Sequence, residues 1–156
     1  MYELRLYEMD TPIGRLGLVE SARGVTKVLL PGDTCEHPVH MQEARTAAAR
    51  QLEEYFAGTR REFTVPLDLD GLTPFRAQAL RALSQVPHGE TVTYTELAHA
   101  AGSPNAVRAA GSACATNPLP LFIPCHRVLR ADGSLGGYRG GVEAKRFLLA
   151  LEGINV

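Results

Sequence analysis

Cys125, His126 and Arg127 stand side by side between Pro124 and Val128, and such side chains together can carry out nucleophilic chemistry. A thiol attacks only as its thiolate, so a neighbouring cation, Arg127 or a protonated His126, predicts a lowered thiol pKa. Upstream runs Asn117-Pro118-Leu119-Pro120-Leu121-Phe122-Ile123. Prolines 118, 120 and 124 forbid regular helix and hold the segment extended up to Cys125. The same residues also describe an inert cysteine buried at a strand edge, since sequence neighbours need not face each other. The elements that position Cys125 decide between the two.

The chain has 156 residues, enough for one good core or two small domains. A hydrophobic content of 45% with 21% charged residues is that of a globular protein, and no apolar run reaches the length of a membrane span. Cys35, Cys114 and Cys125, an odd and small number, argue against a disulfide framework and predict a reducing, cytoplasmic compartment. The first residues, Met1-Tyr2-Glu3-Leu4-Arg5, read as neither signal nor transit peptide. Net charge is −1, but it divides unevenly. From Leu72 onward eight Lys/Arg face five Asp/Glu, a net +3, which leaves −4 for the first part. That asymmetry permits a modest electrostatic footprint on the second half.

In the first part, residues Tyr2 to Tyr7, Leu16 to Glu20 and Val25 to Leu30 read as three short strands of an antiparallel meander. Cys35, His37 and His40 offer three metal ligands, but Pro38 interrupts them and no fourth ligand is near, so a solvated loop without metal is expected. Ala44, Ala48, Leu52, Tyr55 and Phe56 recur at helical spacing and predict a helix over 41–57, ended by Gly58. Phe63, Val65 and Leu67 alternate as a strand. Asp68 to Leu72 looks like a domain boundary, giving domains 1–72 and 73–156.

The second part opens with Thr73-Pro74, an N-cap followed by proline at the first helical position. Thr93 and Glu96 form a capping box for the next helix, which Gly102 stops, and Ser103-Pro104 then caps a third helix over Asn105 to Ala115. Two short helices joined by a tight turn form a helix-turn-helix. The third helix carries almost no long polar side chains for reading a major groove; it is smooth and small, with Arg108 projecting alone. Such a surface suits a backbone or a minor groove, and equally suits tight packing. Asp132 to Gly141 holds five glycines, and a last helix over Val142 to Leu151 packs Phe147, Leu148 and Leu151. Glu152 falls at its C-terminal end, where the helix dipole disfavours a carboxylate, which calls for a cationic partner such as a histidine.

Taken together these residues resemble the O6-alkylguanine-DNA alkyltransferase family of direct-reversal DNA repair proteins. The resemblance rests on Tyr55-Phe56-Ala57-Gly58, Gly89-Glu90-Thr91-Val92-Thr93-Tyr94, Arg108-Ala109-Ala110-Gly111, Asn117-Pro118, Ile123-Pro124-Cys125-His126-Arg127-Val128, Gly136-Gly137-Tyr138, Gly140-Gly141 and Leu151-Glu152-Gly153. It implies an α/β protein with an N-terminal ribonuclease H-like sheet-plus-helix domain and a C-terminal helical domain whose helix-turn-helix is winged-helix-like. It also implies a suicide methyltransferase without cofactor, acting as a monomer, cooperatively or not, on double-stranded DNA containing O6-alkylguanine, with O4-alkylthymine a further candidate substrate.

The resemblance implies roles as well. Cys125 would take the alkyl group permanently, with His126 as its base, joined to it through a water and backed by Glu152. Asn117 would brace the loop. Tyr94 would rotate the nucleotide outward and hydrogen-bond the leaving guanine, while Arg108 would fill the space left in the duplex. Thr93, Tyr94, Ala109, Gly111, Ser112 and Cys114 would meet DNA beside Arg108, and Val128, Tyr138, Arg139 and Gly140 would line the substrate pocket. This chain departs from the family at Arg139, commonly serine, where the guanidinium is expected to reach a DNA phosphate. Another departure is His88, often tyrosine.

Three other readings compete. A non-catalytic relative that only flags lesions would lack the cysteine. A redox-sensing regulator would need base-reading side chains on the third helix. A cysteine hydrolase would turn over repeatedly.

Overall fold

The computed structural model describes residues 3–156, so Tyr2, the expected start of the first strand, lies outside the described residues. The chain divides into two compact units, 1–70 and 71–156.

The first unit is a four-stranded sheet with one helix. β1 (Arg5–Thr11), β2 (Gly14–Ser21) and β3 (Gly24–Leu29) form the expected meander, each longer or shifted by a residue or more from the sequence reading. β1 extends to Thr11 because only Pro12 and Ile13 lie between the paired Thr11 and Gly14. β4 (His40–Met41) was not expected; it pairs parallel with β1, completing the order β3-β2-β1-β4. That pairing is why the helix α1 (Ala47–Phe56) starts later than residue 41. Its N-cap is Thr46, whose hydroxyl accepts from Ala49 N at 3.1 Å. Ala48, Ala49, Leu52 and Tyr55 are buried on the helix, and Leu16, Leu18, Val19, Val25 and Val28 on the strands.

Phe63 to Leu67 forms no strand, because Pro66 has no N–H to continue a ladder. Leu67 makes one bridge with Val25, flanked by Val25 N to Pro66 O at 3.0 Å and Asp68 N to Val25 O at 2.8 Å. A Cβ at Gly24 would stand 2.3 Å from Pro66 O, so only glycine lets this connection close.

The second unit is helical around a small sheet. α2 (Pro74–Leu83), α3 (Tyr94–Ala100) and α4 (Val107–Ala115) enclose Ala79, Ala101 and Ala113, with Phe75 against them. Both predicted caps form: Thr73 accepts from Arg76 N, and Thr93 and Glu96 exchange bonds of 3.1 and 2.8 Å. Ser103 does not cap α4. Its carbonyl accepts from Ala106 N at 2.9 Å in a tight turn, so α4 starts at Val107 with no side-chain cap. β5 (Val92–Thr93) pairs parallel with β6 (Val128–Leu129), fixing the segment after Cys125 to the entry of α3.

α5 spans Val142–Leu151 as expected, but Phe147 is 39% exposed. The inward stripe is Lys145, Leu148, Leu149 and Glu152, an i, i+3, i+4, i+7 row with a charge at either end. Among the described residues no helix is long and apolar enough to cross a membrane.

Candidate active site

Cys125 opens a single 3-10 turn, Cys125–Arg127, between the proline-rich loop and β6. Asn117, fully buried, braces that loop from inside: Nδ2 donates to Ile123 O at 2.9 Å and Oδ1 accepts from Leu119 N at 2.9 Å. These bonds satisfy backbone groups that the prolines leave without helical or ladder partners. Leu121, buried in the same loop, has φ +77°, a left-handed conformation costly for a side chain with a Cβ.

Behind the turn lies an ionic cluster. Glu152 accepts from His126 Nε2 at 2.7 Å, from Arg127 Nε at 2.7 Å and Nη2 at 3.0 Å, and from Gly89 N at 3.2 Å. Arg127 Nη1 also donates to Val86 O at 2.7 Å. Glu152 thus has the histidine partner its place at a helix end called for, and a bidentate arginine as well. The Arg127–Glu152 pair is not apparent from sequence spacing. With Glu152 accepting from Nε2–H, His126 Nδ1 carries the free lone pair, and this buried atom has no hydrogen-bond partner among the described residues. Burial pushes the imidazole below its ordinary value, against the pull of Glu152, so the ring is neutral near pH 7.

The thiol differs from expectation. Burial pushes Cys125 up, against the opposing influence of the Asn117 hydrogen bond and the charges of Arg139 and Lys145. Arg127 does not lower it, because its guanidinium is turned onto Glu152. The resting group is therefore a thiol, and a base has to take its proton.

In front of Cys125 is a cavity of about 440 Å³, lined by Tyr94, Gly111, Cys114, Ala115, Cys125, Gly137, Tyr138 and Arg139. No carboxylate is among them. Tyr138 Oη is buried without a partner, and burial raises both Tyr138 and Tyr94 above their ordinary values, so each is a phenol that can donate. Cys114, facing the same cavity, is pushed up to about 12, chiefly by burial.

α4 sorts its residues by face. Ala110 and Ala113 are buried, Gly111, Cys114 and Ala115 face the cavity, and Arg108, Ala109 and Ser112 are exposed. Thr93, the α3 N-cap, precedes Tyr94 at the cavity. Two expected pocket residues are placed elsewhere. Val128 is fully buried with its carbonyl accepting from Lys145 Nζ at 2.6 Å, and Gly140 lies outside the lining. Arg139 does line the cavity, but its Nη1 donates to Asn117 O at 2.9 Å and Ala115 O at 3.4 Å, at the end of α4. The guanidinium is thus held to backbone, where the sequence reading had it reaching for phosphate. Lys145 was missed altogether; the signal was its place in the row with Leu148, Leu149 and Glu152.

Residues 4–69 match the 6-O-methylguanine DNA methyltransferase, ribonuclease-like domain family, and residues 74–154 match the 6-O-methylguanine DNA methyltransferase, DNA binding domain family. The constitutive methylated-DNA--protein-cysteine methyltransferase of Bacillus subtilis is 41% identical over 155 residues, covering 94% of this chain and 93% of its own. The Mycobacterium bovis methylated-DNA--protein-cysteine methyltransferase is 43% identical over 148 residues, covering 92% and 89%. The crystal structure of Mycobacterium tuberculosis OGT in complex with DNA superposes with a TM-score of 0.90 at 41% identity, over 95% of this chain and 92% of that one. A cysteine backed by a histidine–carboxylate pair, two family domains in sequence and relatives matched nearly end to end lead to one conclusion: the chain belongs to the methylated-DNA--protein-cysteine methyltransferase family.

Proposed function

We propose that this protein repairs alkylated DNA by direct reversal, moving the alkyl group of O6-alkylguanine in duplex DNA onto its own Cys125. The observation that carries the reading is the pairing of a cavity-lining thiol with a neutral histidine whose Nε2–H is held by Glu152 and whose Nδ1 is unpartnered. His126 Nδ1 takes the thiol proton through an intervening water, and Sγ attacks the alkyl carbon. The S–C bond forms as the C–O6 bond breaks, and the electron pair passes to the purine. Guanine leaves poorly as an anion, so a donor at the base matters as much as the nucleophile. Tyr94, a phenol at the cavity wall, supplies that proton or hydrogen bond. The product thioether has no good leaving group, so each molecule acts once.

A base inside the cavity has left its stack. Domain 73–156 does this work in our reading, with α3 and α4 as a winged-helix-like helix-turn-helix and domain 1–72 as its ribonuclease H-like companion. The smooth exposed face of Ala109 and Ser112 lies against the minor groove, and Arg108 enters the gap. Tyr138 Oη, buried and unpartnered, offers the flipped base a hydrogen bond. O4-alkylthymine is the second substrate to try.

Intact-protein mass spectrometry after mixing with excess duplex bearing one O6-methylguanine tests this. The expected result is a gain of one CH2 per molecule, localised to Cys125, with guanine restored in the duplex. Binding to the lesion without any mass change would refute transfer, and repeated turnover would indicate hydrolysis instead.

A further inference from the structure

Lys145 is 0% exposed, a rare state for a lysine, and has no part in the mechanism above. Its Nζ donates to Val128 O at 2.6 Å, Leu135 O at 2.5 Å and Gly137 O at 3.2 Å, and lies 6.0 Å from the centre of the Tyr94 ring. Three acceptors need three N–H donors. An ammonium has three, whereas a neutral amine has two and would turn a lone pair on the third carbonyl. The geometry therefore holds the charged form, although burial lowers the pKa.

We propose that Lys145 is a positioning residue for alkyl transfer: its buried ammonium ties the 135–137 loop to the strand after Cys125 and adds, beside Arg139, a buried positive charge against which the Cys125 thiolate forms. This rests on Cys125 being the acceptor, as proposed above.

The tie is direct. Val128 is in β6, three residues beyond Cys125, while Leu135 and Gly137 belong to the glycine-rich loop that carries the cavity residues Gly137, Tyr138 and Arg139. The loop has few bonds of its own nearby, those at its base being Arg130 N to Ser134 O at 3.0 Å and Gly133 N to Arg130 O at 2.9 Å. Gly136, at φ +71°, would set a Cβ 3.2 Å from Tyr94 Oη, so the loop runs close against the tyrosine that the ammonium also approaches.

The electrostatic part follows from comparing the cations. Arg127 is offset by Glu152, and His126 is neutral, so that cluster carries no net charge. Around the thiol stand Arg139, Lys145, Tyr138, Tyr94 and Cys114; around the ammonium stand Cys125, Cys114, Tyr94 and Arg130. Arg130 is solvent-exposed and screened accordingly, whereas Arg139, at the cavity wall, acts on the thiol beside Lys145. Lys145 is fully buried and its three hydrogen bonds go to neutral carbonyls, so no counter-charge among them offsets the ammonium, which together with Arg139 opposes the upward push of burial on the thiol.

The test compares wild type, Lys145→Met and Lys145→Arg in two assays: single-turnover methyl transfer from duplex, and Cys125 alkylation by iodoacetamide across pH, localised by peptide mass spectrometry. In the second assay Sγ bonds the CH2 carbon, iodide leaves and no DNA is involved. Lys145→Met is expected to slow alkylation at a fixed pH about three- to tenfold and to move the profile to higher pH. Transfer should fall further, because the loop is also released. Lys145→Arg should restore the pH profile, with transfer only partly regained.

A Lys145→Met profile that superimposes on wild type overturns the proposal, leaving a merely structural lysine. If Lys145→Met does not fold, Lys145→Gln replaces it, keeping N–H donors without charge and carrying the same expectation. Failure of wild type to transfer methyl would refute the proposed function instead, and the iodoacetamide profiles would still judge Lys145.

Discussion

Replacing Glu152 by glutamine tests the ionic cluster behind the thiol. The side chain keeps its shape but loses the charge that takes four hydrogen bonds, two of them from Arg127. Arg127 is 6% exposed and would be left with Val86 O as a neutral acceptor and no counter-charge. Breaking a buried pair by removing one partner costs about 3–5 kcal/mol. A domain of this size has about 5–15 kcal/mol in all, so about a fifth or more of its stability is at stake. Urea unfolding followed by far-UV circular dichroism should show the first transition moving to lower urea by that amount at unchanged slope. Adding Arg127→Met to Glu152→Gln removes the orphaned charge and should recover more than half the loss. Transfer should stay low in both variants, by about 100-fold or more, because His126 has lost the carboxylate that stabilises its protonated form. A Glu152→Gln protein within about 1 kcal/mol of wild type, or a double variant no better than the single, would refute the account.

Asn117→Ala leaves Leu119 N buried without a partner and Ile123 O with Cys125 N alone, and should cost about 1–3 kcal/mol in thermal or urea denaturation, with slower transfer as the cysteine loop relaxes. The pH dependence of stability follows from His126, whose folded pKa lies below its ordinary 6.5. Above that value both states are neutral there and the group contributes no slope. As pH falls below it the unfolded chain gains a proton that the folded one resists, so stability should drop by up to about 1.4 kcal/mol per pH unit. Denaturation series from pH 8 to about 5 would check the sign, and stability rising on acidification over this window would contradict it.

Much of the second unit was legible because its punctuation is local. Thr73-Pro74, the Thr93–Glu96 box and the Val142–Leu151 helix each depend on residues within one turn of one another. The misreadings came where a distant partner decides the outcome. His40 and Met41 became a strand because β1 offered an edge, and Ser103 entered a turn instead of a cap. In the site, Cys125, His126 and Glu152 could be named from a contiguous motif and a misplaced charge, and Asn117 from the family resemblance. The Arg127–Glu152 pair and the three-carbonyl seat of Lys145 could not, because sequence shows charge but not which backbone oxygens converge on it.

The inward row of α5 has a consequence for the order in which the protein comes into being. Both charges that serve Cys125, the ammonium of Lys145 on α5 and the carboxylate of Glu152 at its C-cap, are made after the cysteine itself. Chains are synthesised and begin folding from the N-terminus. A nascent chain that has reached Gly141 already carries the thiol and much of the cavity wall, yet His126 has no carboxylate and the loop no tie. The acceptor is therefore chemically quiet until α5 docks. For a protein whose one reaction cannot be undone, the docking of α5 is in effect its arming step, and alkylating agents met during synthesis encounter a thiol whose histidine Glu152 does not yet hold.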